Sequence, residues 1–212
     1  MTFTILEFNS YLQNYSQDSI LSDLSSFKSR DGSEDLCRFL QENFDENGMR
    51  IDNFIDFERN HLCRIYFVLT NPVEKTEDNA KNNTENKCVL NLKTGTYPIY
   101  GYFSIAARTL YAVNIDKNQD ILPPKNIVIY LVGHLCKNVS YEWKNGGEYM
   151  LQQCFEIIES VHQKIGIKYV LIECNEDLVE YYSAQHFKKI GFNKKSGLYQ
   201  MIRGIETIEK PI

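Results

Sequence analysis

Two apolar patterns follow each other in the middle of the chain. Residues 127–136 are almost all β-branched or large and apolar, interrupted at Gly133, which is typical of a strand buried on both faces of a sheet. Apolar residues then recur three and four positions apart up to Gly166, which predicts the buried face of an α-helix that ends at a glycine. That face consists of Met150, Leu151, Cys154, Phe155, Ile157, Ile158 and Val161.

A second buried strand is predicted after this helix, over residues 168–174. A right-handed crossover through the helix makes the two buried strands parallel neighbours. Asn175 begins a predicted short helix that breaks at His186, and extended runs follow at 188–192 and 198–205. We therefore expect a strand–helix–strand unit with antiparallel strands on both sides of it.

The residues before the central strand divide into a helical part and an extended part. Apolar spacing in residues 1–60 predicts short helices, although residues 2–8 also fit a short first strand. Residues 62–70 and 97–110 are rich in β-branched and aromatic side chains and predict two strands, with Gly101 permitting a bulge in the second.

Between these two strands the composition changes sharply. Residues 74–87 contain no large apolar side chain, so we expect a mobile loop insertion over residues 71–96. The whole chain has 212 residues, which is enough for one domain with a full core and too short for two comfortable ones. We therefore interpret residues 1–212 as a single domain.

Charge and hydropathy narrow the range of partners. The net charge is −5 and the pI is near 5.5, which argues against strong nonspecific attraction to nucleic acid or to an anionic membrane. No apolar run reaches the ~18 residues of a membrane span, and the N-terminal residues lack the pattern of a signal peptide. We expect a cytoplasmic protein without membrane contact.

The six cysteines show neither a CxxC pair nor a histidine at metal-ligand spacing. Cys136, Cys154 and Cys174 fall inside apolar strand or helix patterns, where a free cysteine behaves as a small hydrophobe. Reduced thiols in a core are the prediction, and no metal site is expected.

The loop before the long helix ends in Asn145-Gly146-Gly147. Glycines at a helix start allow backbone N–H groups to approach an anion, and the helix dipole adds positive potential there. The loop therefore has the outline of a phosphate-binding site. An ordinary strand-to-helix turn, in which the glycines only relieve steric strain, explains the same residues.

At these residues the chain resembles the GNAT superfamily of acyl-CoA-dependent N-acetyltransferases. The family loop reads R/Q-x-x-G-x-G/A, binds the coenzyme A pyrophosphate, and is followed by a leucine pair three and four residues later. Here Met150 and Leu151 stand three and four residues after Gly147. That spacing aligns Glu142 with the usual Arg or Gln and Asn145 with the first Gly, so only the last glycine of the motif is kept.

A second family motif, N-x-x-A-x-x-x-Y-x-x-x-G-F, extends from the end of the fifth strand into the next helix. This chain has Asn175, Leu178, Tyr182, His186 and Phe187 at those spacings, so the Asn, Tyr and Phe are kept. The resemblance covers residues 62–205 well and the N-terminal helices more loosely. It implies an α/β fold with a mixed sheet of six to seven strands, flanked by helices and splayed after the fourth strand.

The resemblance also implies a site for acetyl-CoA as acetyl donor in the half of the chain from residue 126 to residue 205. Its expected cofactor contacts are Leu135, Cys136, Lys144, Asn145, Gly146, Gly147, Glu148, Asn175 and Tyr182. Tyr182 corresponds to the family's general acid, and Glu173 or His134 lies where family members place a base. Tyr182 and His134 also fit the role of packed core side chains.

Three functions remain open from the sequence. The first is an N-acetyltransferase acting on a small-molecule or peptide amine, with a homodimer possible. The second is a toxin of a toxin–antitoxin pair that acetylates aminoacyl-tRNA, against which the acidic pI weighs. The third is a degenerate GNAT-like interaction domain, for which the missing Arg or Gln and first Gly of the loop argue.

Overall fold

The computed structural model of the chain describes residues 3–12, 24–31, 34–41, 54–70, 98–111 and 126–205. The predicted loop insertion at residues 71–96 lies outside the described residues, as do Cys88 and the residues after 205. None of the described helices is long and apolar enough to cross a membrane.

Seven strands form one sheet in the described residues. The strands are β1 Phe3–Glu7, β2 Arg64–Thr70, β3 Ile99–Leu110, β4 Ile127–Lys137, β5 Tyr169–Cys174, β6 Lys188–Asn193 and β7 Leu198–Gly204. Their order across the sheet is β1-β2-β3-β4-β5-β7-β6. Only β4 and β5 pair in parallel, and every other pair of neighbours is antiparallel. The sheet matches the predicted mixed α/β architecture, including the strand–helix–strand crossover.

The helices lie mostly where apolar spacing predicted them. They are α1 Phe8–Leu12, α2 Glu34–Gln41, α3 Phe54–Arg59, α4 Gly146–Ile165 and α5 Val179–Ala184, with a 3₁₀ turn at Glu176–Leu178. The long helix α4 ends at Gly166, which adopts φ 68° and donates its N–H to the His162 carbonyl, as a left-handed helix end requires.

The helical interpretation of the first residues was wrong at the N-terminus, where the strand alternative is correct. Residues Phe3–Glu7 form β1, whose register runs from Phe3 opposite Thr70 to Glu7 opposite Tyr66. Pairing with the edge of β2 satisfies backbone groups that a single helical turn leaves free. Tertiary pairing therefore overrides a local apolar spacing.

Two layers of apolar side chains cover the sheet. On one face, Met150, Leu151 and Cys154 of α4 pack in a cluster with Tyr130, Val132, Val170 and Ile172 of the central strands. On the opposite face, buried side chains of the N-terminal segments, among them Phe8, Leu24, Leu40 and Phe54, pack with Ile65, Phe67 and Tyr102. Ile129 of β4 and Leu171 of β5 lie in a further cluster with Leu110, Ile190 and Ile202. The two central strands are therefore covered on both sides over part of their length only, since Val128 of β4 is 53% exposed.

The register of β2 with β3 contains a bulge beside Gly101. Val68 lies opposite Gly101 and Leu69 opposite Ile99, so Tyr100 is the extra residue. A β-carbon on Gly101 would lie 2.6 Å from Met150 Sδ and 2.9 Å from the Cys136 carbonyl oxygen. Gly101 thus allows α4 to pack closely on the sheet, and the bulge residue is its neighbour.

A second bulge interrupts the pairing of β3 with β4. Ser104 lies opposite His134 and Ile105 opposite Val132, so Gly133 is the extra residue of β4. Parallel pairing of β4 with β5 covers only Tyr130–Val132 against Val170–Ile172. Beyond Gly133 the two strands are not paired, which is the splay after the fourth strand that the resemblance implied.

Candidate functional site

The start of α4 faces this splay and has an unusual backbone. Asn145, the residue before the helix, is left-handed with φ 59°, and its side chain makes no capping hydrogen bond. Asparagine tolerates this conformation better than most residues, so it can replace the family's first glycine. The first N–H groups of a 20-residue helix therefore remain available for an anion.

Gly146 and Gly147 are glycines for different structural reasons. A β-carbon on Gly146 would lie 2.5 Å from ring atoms of Trp143, which is itself only 7% exposed. Gly146 is therefore required by the packing of the Trp143 ring against the helix. A β-carbon on Gly147 would instead meet the side chain of Tyr181.

Tyr181 lies beside the candidate loop site and was not among the expected contacts. Its hydroxyl lies 3.2 Å from the position of a β-carbon on Gly147. The hydroxyl oxygen is buried and has no hydrogen-bond partner among the described residues. Burial, and then the charge of Glu148, raise the pKa of Tyr181, so the phenol keeps its proton and is available as a donor. Its only sequence signal was its position next to Tyr182.

Tyr182 lies in the apolar cluster beneath α4. Its side chain is 5% exposed and makes edge-on contacts with Tyr181 and Phe187, at ring-centroid distances of 5.0 and 5.8 Å. Burial raises the pKa of Tyr182 well above its usual value, and the positive charge of Arg30 opposes that shift. The residue is thus both a packed tyrosine and a protonated donor.

Arg30 comes near this region from the N-terminal half of the chain. Its guanidinium donates to Asp177 Oδ2 at 2.8 Å, just after β5, and both side chains are about half exposed. The neighbouring Lys28 carbonyl accepts the N–H of Val139, just after β4. The segment at residues 27–31 therefore contacts the chain beyond the ends of both splayed strands.

Leu135 and Cys136 lie on the splayed part of β4. The N–H groups of His134 and Asn138 are bonded on the β3 side, to Ser104 Oγ at 3.0 Å and to the Tyr100 carbonyl at 2.8 Å. Since backbone groups alternate between the two edges of a strand, the N–H of Cys136 also faces β3. The N–H groups of Leu135 and Lys137 face the open edge, and Lys137 was not among the predicted contacts.

His134 is held by packing and hydrogen bonding. Its Nδ1 lies 2.9 Å from Ser104 Oγ, and its ring stacks on Phe39 with a centroid distance of 3.9 Å. Burial lowers the pKa of His134 to about 4, so the imidazole is neutral and weakly basic near neutral pH. The contacts favour the core-histidine interpretation over a general base.

Glu173 is the first residue of β5 beyond its pairing with β4. Its Oε1 accepts hydrogen bonds from Asn193 Nδ2 at 3.0 Å and Gln200 Nε2 at 2.8 Å. Its neighbour Cys174 belongs to the cluster beneath α4 that contains Tyr182. Because side chains alternate along a strand, Glu173 lies on the opposite face of the sheet from Tyr182.

The remaining predicted contacts are exposed. Lys144 stands two residues before α4, and Glu148 lies in its first turn. Asn175, directly after β5, is also exposed, and its side chain makes no capping bond to the turn that follows. Among the described residues, no group of three His, Cys, Asp or Glu side chains is placed to hold a metal ion. The described cysteines are free.

No protein-family model and no curated protein sequence matches the chain. Solved structures do match. A structure described only as a bacterial toxin has a TM-score of 0.64 at 14% identity, over 96% of this chain and 91% of the other. AtaT complexed with acetyl-methionyl-tRNAfMet has a TM-score of 0.57 at 17% identity, over 93% and 94%.

A third match is a tyrosine-to-phenylalanine mutant of the AtaT toxin, bound to the C-terminus of the antitoxin AtaR and acetyl-CoA. It has a TM-score of 0.58 at 16% identity, over 95% of this chain and 92% of the other. These likenesses extend over nearly the whole of each chain. The protein therefore has the GNAT fold, and the resemblance inferred from two partial motifs is confirmed at the level of fold.

Proposed function

We propose that this protein is a toxin of the N-acetyltransferase type, which transfers the acetyl group of acetyl-CoA to the amino group of an aminoacyl-tRNA. The observation that carries the proposal is the match over more than nine-tenths of both chains to AtaT complexed with acetyl-methionyl-tRNAfMet. The toxin hypothesis thus replaces the small-molecule acetyltransferase as the leading functional hypothesis. An antitoxin partner follows from the same analogy, since AtaT also binds AtaR.

The loop at the start of α4 fits the diphosphate of a coenzyme. It combines free helix N–H groups, a glycine without a β-carbon, and the unpartnered hydroxyl of Tyr181. In addition, Lys144 is exposed next to the left-handed Asn145 and adds positive charge. An oxygen-rich anion would satisfy donors that the described protein groups leave unpaired.

The splay fits the acyl arm of the same coenzyme. The N–H groups of Leu135 and Lys137 face the open edge of β4, where an amide-containing chain can pair as a strand would. Bound acetyl-CoA supplies an activated thioester. The protonated phenol of Tyr182 can then donate a hydrogen bond to the departing sulfur, while Arg30 favours negative charge near that phenol.

The departures from the family loop do not favour a degenerate interaction domain. Asn145 adopts the left-handed backbone that a glycine would supply, so the first replacement keeps the geometry. The other replacement is Glu142, which is exposed and stands where the family has Arg or Gln, so that position carries no cation. Tyr181 and Lys144 supply a donor and a positive charge on the same side of the chain.

A small-molecule or peptide amine remains the second candidate acceptor. The net charge of −5 gives no general attraction to an RNA backbone, so tRNA binding requires a local basic surface. A small amine requires no basic surface for its binding. The acceptor must therefore be tested directly.

The test combines a growth assay with an acetylation assay. Induced expression of the wild type should arrest growth, and Tyr182→Phe should relieve the arrest, whereas Tyr169→Phe, at the start of β5, should not. Purified protein should transfer labelled acetyl groups from acetyl-CoA to methionyl-tRNA and other charged tRNAs. Transfer only to polyamines or peptides would replace the toxin function by the second candidate, and no transfer to either class would contradict both.

A further inference from the structure

The hairpin formed by β6 and β7 differs from the rest of the chain in its charge. Residues 188–205 contain five cationic side chains and no Asp or Glu, whereas the whole chain has a net charge of −5. The cations are Lys188, Lys189, Lys194, Lys195 and Arg203. The hairpin is therefore a basic surface on an acidic protein, and contact with a nucleic-acid backbone requires such a local surface.

Four of these cations are lysines that are available to phosphates. All four are exposed, and none of their ammonium groups forms an ion pair with another described residue. Lys188 and Lys189 lie on β6, an edge strand of the sheet, where lysines also discourage pairing with another chain. Lys194 and Lys195 lie in the turn between β6 and β7. Protection of the edge therefore does not explain the lysines of the turn.

An aromatic pair lies in the same hairpin. Phe192 is opposite Tyr199 in the register of β6 with β7, and the two rings meet edge-on at a centroid distance of 5.0 Å. Lys189 Nζ lies 3.9 Å from the centroid of the Tyr199 ring. Phe192 is 49% exposed, and leaving that much apolar surface in water is unfavourable. A flat exposed ring beside lysines is a surface on which a nucleobase can stack.

The turn of the hairpin lies at the same end of the sheet as the splay. Tyr199 is opposite Cys174, the last residue of β5, and its hydroxyl donates to Glu176 Oε1 at 3.4 Å. The parallel pairing of β5 with β4 has ended two residues before Cys174, at Ile172. A strand of RNA bound along the turn therefore has one end near the open ends of β4 and β5.

We propose that the β6–β7 hairpin binds single-stranded RNA, with nucleobases stacked on Phe192 and phosphates beside the lysines of the turn. A duplex keeps its bases stacked on each other, so an exposed ring favours an unpaired strand. An acidic protein segment could meet the same lysines but has no base to stack on Phe192. In naming the 3′ end of an aminoacyl-tRNA as this strand, the inference rests on the proposed function.

The experiment uses the full chain and three fluorescently labelled probes. They are a single-stranded RNA of about twelve nucleotides, a blunt RNA duplex of the same length and a poly-glutamate peptide, a length that suits the site sizes of single-strand binders. Fluorescence anisotropy measures each affinity over a series of salt concentrations. The single strand should bind at least tenfold more tightly than the duplex or the peptide.

Two hairpin variants separate the phosphate contacts from the stacking. The double variant Lys194→Gln with Lys195→Gln should weaken binding of the single strand. It should also reduce the slope of log affinity against log salt by about 1.4, since each phosphate contact on a single strand contributes about 0.7. Phe192→Leu keeps an apolar side chain and removes the flat ring, so it should weaken binding about tenfold without changing the slope.

The matched control removes the same charge at the other end of the sheet. Lys164 lies in the last turn of α4 and Lys168 directly before β5, and both are exposed. The double variant Lys164→Gln with Lys168→Gln should bind the single strand as the wild type does. An equal loss in this control would reduce the effect of the hairpin lysines to net charge and overturn the proposal.

The proposal is also overturned if the single strand does not bind, if the duplex binds equally well, or if either hairpin variant binds as the wild type does. Poly-glutamate binding as tight as that of the RNA would assign the surface to an acidic protein partner instead. Acetyl transfer to charged tRNA reports separately on the proposed function. RNA binding without this transfer contradicts the proposed function alone, whereas transfer with kcat/KM unchanged in both hairpin variants contradicts the hairpin alone.

Discussion

The hydroxyl oxygen of Tyr181 lies 3.2 Å from where a β-carbon on Gly147 would stand, at the first turn of α4. This relationship joins the glycine loop to the helix that carries Tyr182. It explains why the last motif position, Gly147, is a glycine in this chain. A side chain there would contact the phenol and occupy the space in front of the first helix N–H groups.

Gly147→Ala should lower the affinity for acetyl-CoA at least tenfold with little loss of stability. The added methyl narrows the proposed anion site, whereas alanine favours the helix by up to about 1 kcal/mol relative to glycine. Calorimetry and thermal unfolding measure the two effects. Gly204→Ala is the matched control, since a β-carbon there meets nothing within 4 Å. Unchanged affinity in Gly147→Ala would contradict the loop assignment.

Gly146→Ala should instead destabilise the fold by about 2 kcal/mol, because the new methyl overlaps the Trp143 ring and the helix backbone cannot move freely. Urea unfolding measures the change. Trp143→Leu in the same chain should recover part of the loss, as expected when two neighbouring sites are coupled. A Gly146→Ala protein as stable as the wild type would remove the packing explanation.

The two adjacent tyrosines should separate binding from turnover. Tyr182→Phe should lower kcat by about 10²-fold or more while acetyl-CoA binding is retained, because a donor to the leaving sulfur acts only during transfer. Tyr181→Phe should weaken acetyl-CoA binding by about fivefold to tenfold, the effect of losing one hydrogen bond, with kcat nearly unchanged. Calorimetry measures the affinity for acetyl-CoA, and steady-state kinetics measure kcat. The reverse pattern would exchange the two roles.

Ser104→Ala should cost about 1–3 kcal/mol of stability. Ser104 is 2% exposed, and its Oγ contacts both the backbone N–H and the Nδ1 of His134 across the bulge. Denaturant unfolding tests the loss. Ser183→Ala is the comparison, since Ser183 is exposed and its hydroxyl donates to the Val179 carbonyl of the same helix. Equal effects of the two substitutions would argue against a special role of Ser104 at the bulge.

The neutral state of His134 should make stability fall in mild acid. Its pKa is lowered from 6.5 to about 4 in the folded protein, so between those values the unfolded chain binds more protons. The neutral His134 contributes fully to the free energy of unfolding above pH 6.5. This contribution decreases as the pH falls towards 4, by about 2 kcal/mol between pH 7 and pH 5.

Denaturant unfolding at both pH values checks this prediction against two variants. His134→Phe keeps the stack on Phe39 and should lose most of the extra acid sensitivity. His186→Asn changes an exposed histidine with φ 65°, a conformation that asparagine tolerates. This variant should keep the acid sensitivity of the wild type. Equal pH dependence in the wild type and His134→Phe would show that His134 titrates normally.

Local pattern alone determined most of the secondary structure. The apolar run of β4, the stripe of α4 and the glycine at its end are visible in the sequence because burial on both faces, a 3.6-residue period and a left-handed helix end each require particular residue types. Two partial motifs were then enough to identify the fold. They also predict the region of the site, since they mark the loop and the helix that flank the splay.

Only the tertiary structure decided the rest, because it depends on contacts between distant residues. The pairing of Phe3–Glu7 with β2, the position of the bulge at Gly133, and the edge that each N–H of β4 faces follow from strand register. The position of the Tyr181 hydroxyl beside Gly147 and the hydrogen bond from Gln200 to Glu173 across β7 and β5 also come from the tertiary structure alone. A sequence pattern records which side chains are buried, but it does not record which buried groups meet.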